Sequence, residues 1–144
     1  MKLKLKKLDP KAIIPKYATF GAAAFDLHAL DSGHVLNGKD AVVRTGLAFE
    51  IPEGYVMLVV GRSGHGFKHN VRLANCLGVI DSDYRGEVMV KLVTDSDQTA
   101  LYFEAGERVA QAMIVPVAQV ELTEVDDLSE TLRGVNGFGS TGVL

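Results

Sequence analysis

A single cysteine, Cys76, leaves the chain without an intrachain disulfide framework and without the ligands of a cysteine-rich zinc site, a usage that fits a reducing cytosol. Positive charge is not in excess either. The formal net charge is −3 and the pI is near 5.8, so no overall basic field exists to hold a nucleic-acid backbone, and any bound anion must meet local positive charge. Long apolar runs are also missing. The longest, residues 55–60, falls far short of the roughly 20 residues a membrane helix needs. The start, Met1-Lys2-Leu3-Lys4-Leu5-Lys6-Lys7, interleaves lysines where an export signal needs an unbroken apolar stretch. A soluble, cytoplasmic protein with neither membrane nor nucleic-acid partner is expected. Internal repeats and amphipathic runs of helical period long enough for a bundle are absent too, which excludes solenoids and helical bundles. What remains is 144 residues, 47% of them hydrophobic, enough for one domain with a substantial core.

The rhythm of that chain is all-β. Residues 2–8 alternate lysine and leucine, and Pro10 and Pro15 then interrupt regular structure. Residues 41–44, 47–51, 55–60, 87–94, 101–103 and 108–115 read as short strands, and residues 119–125 as the last core strand. Pro52-Glu53-Gly54 and Asp95-Ser96-Asp97-Gln98 read as turns, and residues 30–40, rich in Asp and Gly, as loop. Many short strands with frequent turns predict a jelly roll or β-barrel-like subunit with one short helix, for which Ser63 is the expected N-cap.

Some apparent motifs fail on chemistry. Gly33 to Lys39 has the spacing of a P-loop, but Asp40 stands where that loop needs a hydroxyl for Mg²⁺, and no strand-to-helix context surrounds it. Gly61-Arg62-Ser63-Gly64-His65 nearly matches a hydrolase elbow, yet His65 replaces the final glycine, so Ser63 is a poor nucleophile candidate. His65 and His69 lie one helical turn apart without the glutamate of a zinc-protease helix. A helix start after Gly61 would instead offer free N–H groups to phosphate.

The stretch around which the chain is organised is Gly78-Val79-Ile80-Asp81-Ser82-Asp83-Tyr84-Arg85-Gly86-Glu87-Val88. Apolar runs flank an acidic turn, which reads as a hairpin. Its tip is either an ordinary turn with Asp side chains capping amides or a nucleotide pocket, with backbone edges for a flat base and a carboxylate and aromatic ring at its mouth. Elsewhere, Gly21 to Ala29 combines small residues, an aromatic and the buried-looking carboxylate of Asp26. Gln111 sits in an apolar run and must find hydrogen-bond partners or face a cavity. After an acidic linker, residues 133–144 are too glycine-rich for helix or strand, and a flexible arm is expected there.

Together, and in this order, Ala23-Ala24-Phe25-Asp26-Leu27, Arg62-Ser63-Gly64, Gly78 to Gly86, Gly106-Glu107-Arg108-Val109-Ala110-Gln111, and Arg133-Gly134 through Gly137-Phe138-Gly139-Ser140-Thr141-Gly142 resemble the trimeric dUTP pyrophosphatases over nearly the whole chain. Gly61 stands where that family usually has Pro, Phe25 where it has Tyr, and Asn136 where it has Gly; Asn tolerates positive φ, so a turn at Asn136 is expected to survive. The resemblance implies a distorted jelly roll over residues 1–128 and an arm over 129–144 that closes over a site of another subunit. It implies a homotrimer with shared active sites, Mg²⁺ dependence, and hydrolysis of dUTP to dUMP and pyrophosphate.

The same resemblance assigns roles. Asp81 is the general base for the attacking water, and Tyr84 lies against the deoxyribose and leaves no room for a 2′-hydroxyl. Asn75 orders water near the base, and backbone groups from Gly78, Val79 and Ile80 to Met89 read the uracil edge. Asp26 steadies Mg²⁺ through its water shell. Arg62, Ser63, Gly64 and Gln111 meet the phosphates, Arg133 the terminal phosphate, and Phe138 stacks over uracil while Gly139, Ser140 and Thr141 close on the phosphate chain. Two rivals share the scaffold: a dCTP deaminase, which needs a different carboxylate and room for a 4-amino group, and a non-catalytic nucleotide-sensing trimer. The Asp81-to-Tyr84 stretch and the Phe-Gly-Ser-Thr-Gly tail argue against the first, and the full set of proposed catalytic side chains against the second.

Overall fold

The computed structural model describes residues 1–36, 38–95 and 100–137. Its strands are β1 (Lys4–Lys7), β2 (Phe25–His28), β3 (Gly33–Leu36), β4 (Asp40–Arg44), β5 (Leu47–Glu50), β6 (Tyr55–Gly61), β7 (Val71–Leu73), β8 (Leu77–Ile80), β9 (Met89–Thr94), β10 (Ala100–Phe103) and β11 (Arg108–Pro116), with one helix, α1 (Ser63–His69). All pairings are antiparallel. One sheet has the order β2-β11-β6-β8 and another β4-β9-β7, while β1-β5 and β10-β3 form ribbons. Leu27, Met57, Val59, Ala110 and Ala112 from the first sheet join Val43, Val71, Leu73, Val90 and Leu92 from the second in one buried cluster. The sheets therefore share a core, as in the jelly roll expected, but among the described residues the ladders stay separate and close no barrel.

Several sequence expectations need correction. Residues 30–40 are not all loop: β3 lies there, and the ring of Phe103 packs over Gly33, so the first glycine of the rejected P-loop spacing is a strand residue. The N-cap of α1 is Arg62, with extended φ and ψ and no side-chain cap, so Ser63 is the first helical residue. Residues 119–125 form no strand, because no ladder among the described residues includes them, and Val120 and Leu122 are exposed. Most consequential, β8 and β9 do not pair with each other. β8 is bonded to β6 and β9 to β4 and β7, so the expected hairpin is instead a crossing from one sheet to the other.

Alternation explains the local choices. In β9, Val90, Leu92 and Thr94 are buried while Met89 and Lys91 face out, the period of a strand with one face on a core. β11 is flanked by β2 and β6 and carries a register shift between Arg108 and Ala110, which leaves both Val109 and Ala110 buried and turns Arg108 toward β2.

Candidate active site

The crossing from β8 to β9 opens a cleft of about 220 Å³ lined by Val79, Ile80, Asp81, Tyr84, Glu87, Val88 and Met89. It is smaller than the roughly 300–1,000 Å³ of a complete ligand pocket. β8 is the last strand of its sheet, and β9 is paired at its start on the β4 edge only, since β7 covers it from Leu92 onward, so the β7-side edge at Met89 and Val90 and the outer edge of β8 have no strand partner among the described residues. Such edges can satisfy a flat ring's donors and acceptors. Gly78 packs against Val59 of β6 and fixes that wall.

Asp81 and Tyr84 stand at the mouth, both exposed. The backbone turns there because the Tyr84 N–H donates to the Asp81 carbonyl at 3.2 Å. Arg85 ties the loop to itself, donating from Nη1 to the carbonyls of Ser82 at 2.7 Å and Tyr84 at 2.9 Å. The Tyr84 hydroxyl donates to the Glu87 carbonyl at 3.1 Å, which lays the ring over Gly86. Asn75 is exposed in the turn before β8, next to Cys76, whose φ of 60° is left-handed.

A second constellation surrounds Asp26, a residue only 5% exposed. Cross-strand register sets Gln111 opposite it, and Gln111 Nε2 donates to Oδ1 at 3.3 Å, the partner its apolar surroundings demanded. Arg62 Nε lies 3.3 Å from Oδ1 and Arg108 Nη1 3.4 Å from Oδ2, while Arg62 Nη1 donates to the Arg108 carbonyl at 3.2 Å. Two guanidinium groups against one carboxylate leave net positive charge, which suits a phosphate. Histidines adjoin it. Burial pushes His28 below the ordinary imidazole range, with Arg108 and Arg62 adding to the effect and Asp26 opposing it. His65 is lowered by burial, then by Arg62 and His69, with Glu107 opposing.

The two constellations stay apart in the single chain: none of Asp26, Arg62, Ser63, Gly64 and Gln111 lines the cleft. Ser63 and Gly64 are exposed on the first turn of α1. Arg133 is exposed and donates from Nε to the Asn136 carbonyl at 2.9 Å, and it does not line the cleft. The left-handed residue of that turn is Gly134, with φ 53°, rather than Asn136. Phe138, Gly139, Ser140 and Thr141 lie outside the described residues. Sequence reasoning gave no role to Arg108, the histidines or Glu87. The only signal for Arg108 was a charge opening an apolar run, and the bulge that aims it at Asp26 leaves no mark in the pattern.

A family model described as dUTPase matches residues 10–142. A deoxyuridine 5'-triphosphate nucleotidohydrolase of Nautilia profundicola is 50% identical over 142 residues, with 99% of each chain covered. One from Picosynechococcus sp. is 46% identical, also over 142 residues with 99% of each chain covered. The solved structure of Staphylococcus bacteriophage 80alpha dUTPase with dUPNHPP matches with a TM-score of 0.90 at 29% identity, covering 99% of both chains. A family model over almost the full length, together with relatives of this similarity, means that this chain belongs to the dUTPase family.

Proposed function

We propose that this chain hydrolyses dUTP to dUMP and pyrophosphate, as a cytoplasmic homotrimer whose active sites are shared between subunits. The observation that carries the reading is the cleft between β8 and β9, with unpaired backbone edges inside and Asp81 and Tyr84 at its mouth. Uracil's edge meets the backbone groups of Gly78, Val79, Ile80 and Met89; cytosine's reversed donor and acceptor would leave them unpaired, a mismatch that discriminates by roughly 10⁴-fold. Asn75 orders water near the base, and Tyr84 lies under the deoxyribose where a 2′-hydroxyl would collide with its ring. The Asp81 carboxylate takes a proton from the attacking water, the new bond forms from that oxygen to the α-phosphorus, and the bond from the α-phosphorus to the bridging oxygen breaks as pyrophosphate leaves.

The phosphates need positive charge, which the Asp26 cluster has and the cleft lacks. Arg62, Ser63, Gly64 and Gln111 supply it from a neighbouring subunit, and residues 129–144 of a third subunit form an arm beyond the 1–128 core. In that arm Arg133 meets the terminal phosphate, Phe138 covers uracil, and Gly139, Ser140 and Thr141 close on the phosphate chain. Assembly also has a physical motive. Val117, Val120, Leu122, Val125, Leu128 and Leu132 are exposed, and an apolar groove along β1, lined by Leu3, Leu5, Phe25, Phe49 and Ile114, is open.

Mg²⁺ fits this site only as a guest of the substrate. No group of three ligating side chains exists among the described residues, and both oxygens of Asp26 already face Arg62, Arg108 or Gln111. One buried carboxylate can hold a hydrated ion through water, which suits a metal that dehydrates reluctantly and binds mainly through phosphates; the ion then neutralises triphosphate charge. The test is pyrophosphate release from the four common deoxynucleotides, dUTP and UTP, with ammonia release from dCTP measured alongside. Turnover confined to dUTP is expected. Ammonia from dCTP would identify a deaminase, and tight dUTP binding without turnover a nucleotide sensor.

A further inference from the structure

Tyr84 does not hold itself in place. Its hydroxyl donates to the main-chain carbonyl of Glu87 at 3.1 Å, and its ring lies so close over Gly86 that a Cβ there would stand 2.3 Å from the hydroxyl oxygen. The ring's height in the cleft therefore follows the position of the peptide at residue 87. That peptide belongs to an irregular segment outside β9, where its only main-chain tie among the described residues runs through its N–H, that of Val88, which donates to the Leu47 carbonyl at 2.8 Å. The Glu87 side chain supplies a second fixation, on the other side of the carbonyl. Its Oε1 accepts the main-chain N–H of Gly46 at 2.8 Å, and its carboxylate faces Arg44, with Nε at 3.1 Å and Nη2 at 3.1 Å from Oε2. Val88 is tied to the same turn through its carbonyl as well, which accepts from the Thr45 hydroxyl at 2.5 Å. The turn itself is anchored, since the Gly46 carbonyl accepts from Leu8 and the Arg44 carbonyl from Leu30, each at 2.8 Å.

We infer that Glu87, gripped by Arg44 and the Gly46 amide, is a positioning residue that sets the height of the Tyr84 ring and so tunes discrimination between 2′-deoxyribose and ribose nucleotides. The inference rests on the proposed role of Tyr84 against the sugar. The Glu87 side chain is only 15% exposed, so its ion pair with the half-exposed Arg44 is shielded on one side and its hydrogen bond to Gly46 is partly buried. Removing the carboxylate leaves the peptide held only through the Val88 N–H, so that its carbonyl, the acceptor that holds the tyrosine, can pivot about that bond. A steric gate is sensitive to such shifts because a 2′-hydroxyl needs only the space of one oxygen atom.

The experiment compares kcat/KM for dUTP and for UTP in wild type, Glu87→Ala, Glu87→Gln, Arg44→Met, Tyr84→Phe, Tyr84→Ala and the Tyr84→Phe/Glu87→Ala pair, with thermal midpoints recorded for each. Glu87→Ala is expected to lower the dUTP-to-UTP ratio by about five- to tenfold, the scale of one lost hydrogen bond of positioning. Glu87→Gln, which keeps an acceptor for Gly46, should retain most of the ratio. Arg44→Met, altered at an exposed side chain that threatens folding little, should lower the ratio in the same direction but less. The double variant should show no further loss beyond Tyr84→Phe, because both changes break the same link. A purely structural role for Glu87 would lower the thermal midpoint and reduce activity on both nucleotides equally. An unchanged ratio in Glu87→Ala and Arg44→Met, while Tyr84→Ala collapses it, overturns the assignment to Glu87 and leaves the sugar gate standing. An unchanged ratio in Tyr84→Ala overturns the gate itself, and additive losses in the double variant overturn the link between the two residues.

Discussion

Replacing Asp26 by Asn keeps the shape of the side chain and removes its charge, and the surroundings dictate two consequences. The side chain is 7% exposed and its carboxylate faces Arg62 and Arg108 at 3.3 and 3.4 Å, so the folded chain loses the counter-charge that lets two guanidinium groups approach each other. Breaking a fully buried pair costs about 3–5 kcal/mol. Here the Arg62 side chain is 24% exposed and that of Arg108 51%, and both contacts are long, so solvent screening reduces the expected loss to about 2 kcal/mol. For a chain of this size that lowers the thermal midpoint by roughly 4–8 °C, read by circular dichroism at one fixed protein concentration because assembly makes the midpoint concentration-dependent. The second consequence has the opposite sign. A cluster without its carboxylate is more cationic, so calorimetry without Mg²⁺ should find pyrophosphate bound more tightly by Asp26→Asn than by wild type, whereas adding Mg²⁺ should help the variant less. An unchanged midpoint together with unchanged pyrophosphate affinity would refute the view that Asp26 balances the arginines.

Asp81→Asn should leave folding and dUTP binding intact while slowing pyrophosphate release at least about 10²-fold, the usual scale for removing a general base; near-normal turnover would exclude Asp81 from that role. Deleting residues 133–144 should spare folding and abolish most activity, and co-refolding deleted subunits with Asp81→Asn subunits should restore turnover only if arms act in trans, so a mixture as inactive as its parents would sink the shared site. Urea midpoints should fall as pH drops below 6.5. His28 and His65 are held below that value chiefly by burial, so the unfolded chain binds more protons in the window beneath 6.5, stability rises with pH across it, and protonation on the acid side is destabilising. His65→Gln should flatten that slope, and an unaltered slope would remove His65 from the linkage.

How far the sequence discloses this molecule depends on whether a feature is local. The alternation of Val90, Leu92 and Thr94 announces β9, and the polar Gln111 in an apolar run announces a partner, which is Asp26. Strand partnership is another matter. The runs either side of residues 81–88 look like a hairpin because alternation reports which face is buried and says nothing about which edge is bonded. Residues 119–125 alternate as a strand should, yet a strand needs a bonded neighbour, and no ladder among the described residues includes them. β3 is hidden by the turn-forming Asp31, Gly33 and Gly38 around a short apolar pair, and Ser63 has the residue type of a cap although Arg62 fills that position through backbone conformation alone.

Because β8 and β9 are stitched to different sheets, the gap between them is a seam that the protein never sews shut by itself. A planar guest with donors and acceptors on its rim supplies the missing stitches, joining the outer strand of one sheet to the first residues of a strand in the other. The nucleotide then acts as a cross-tie as well as a substrate. Amide hydrogens of Val79 and Met89, far apart in hydrogen-bonding terms without it, should slow their exchange together when the base is bound and quicken together when it leaves.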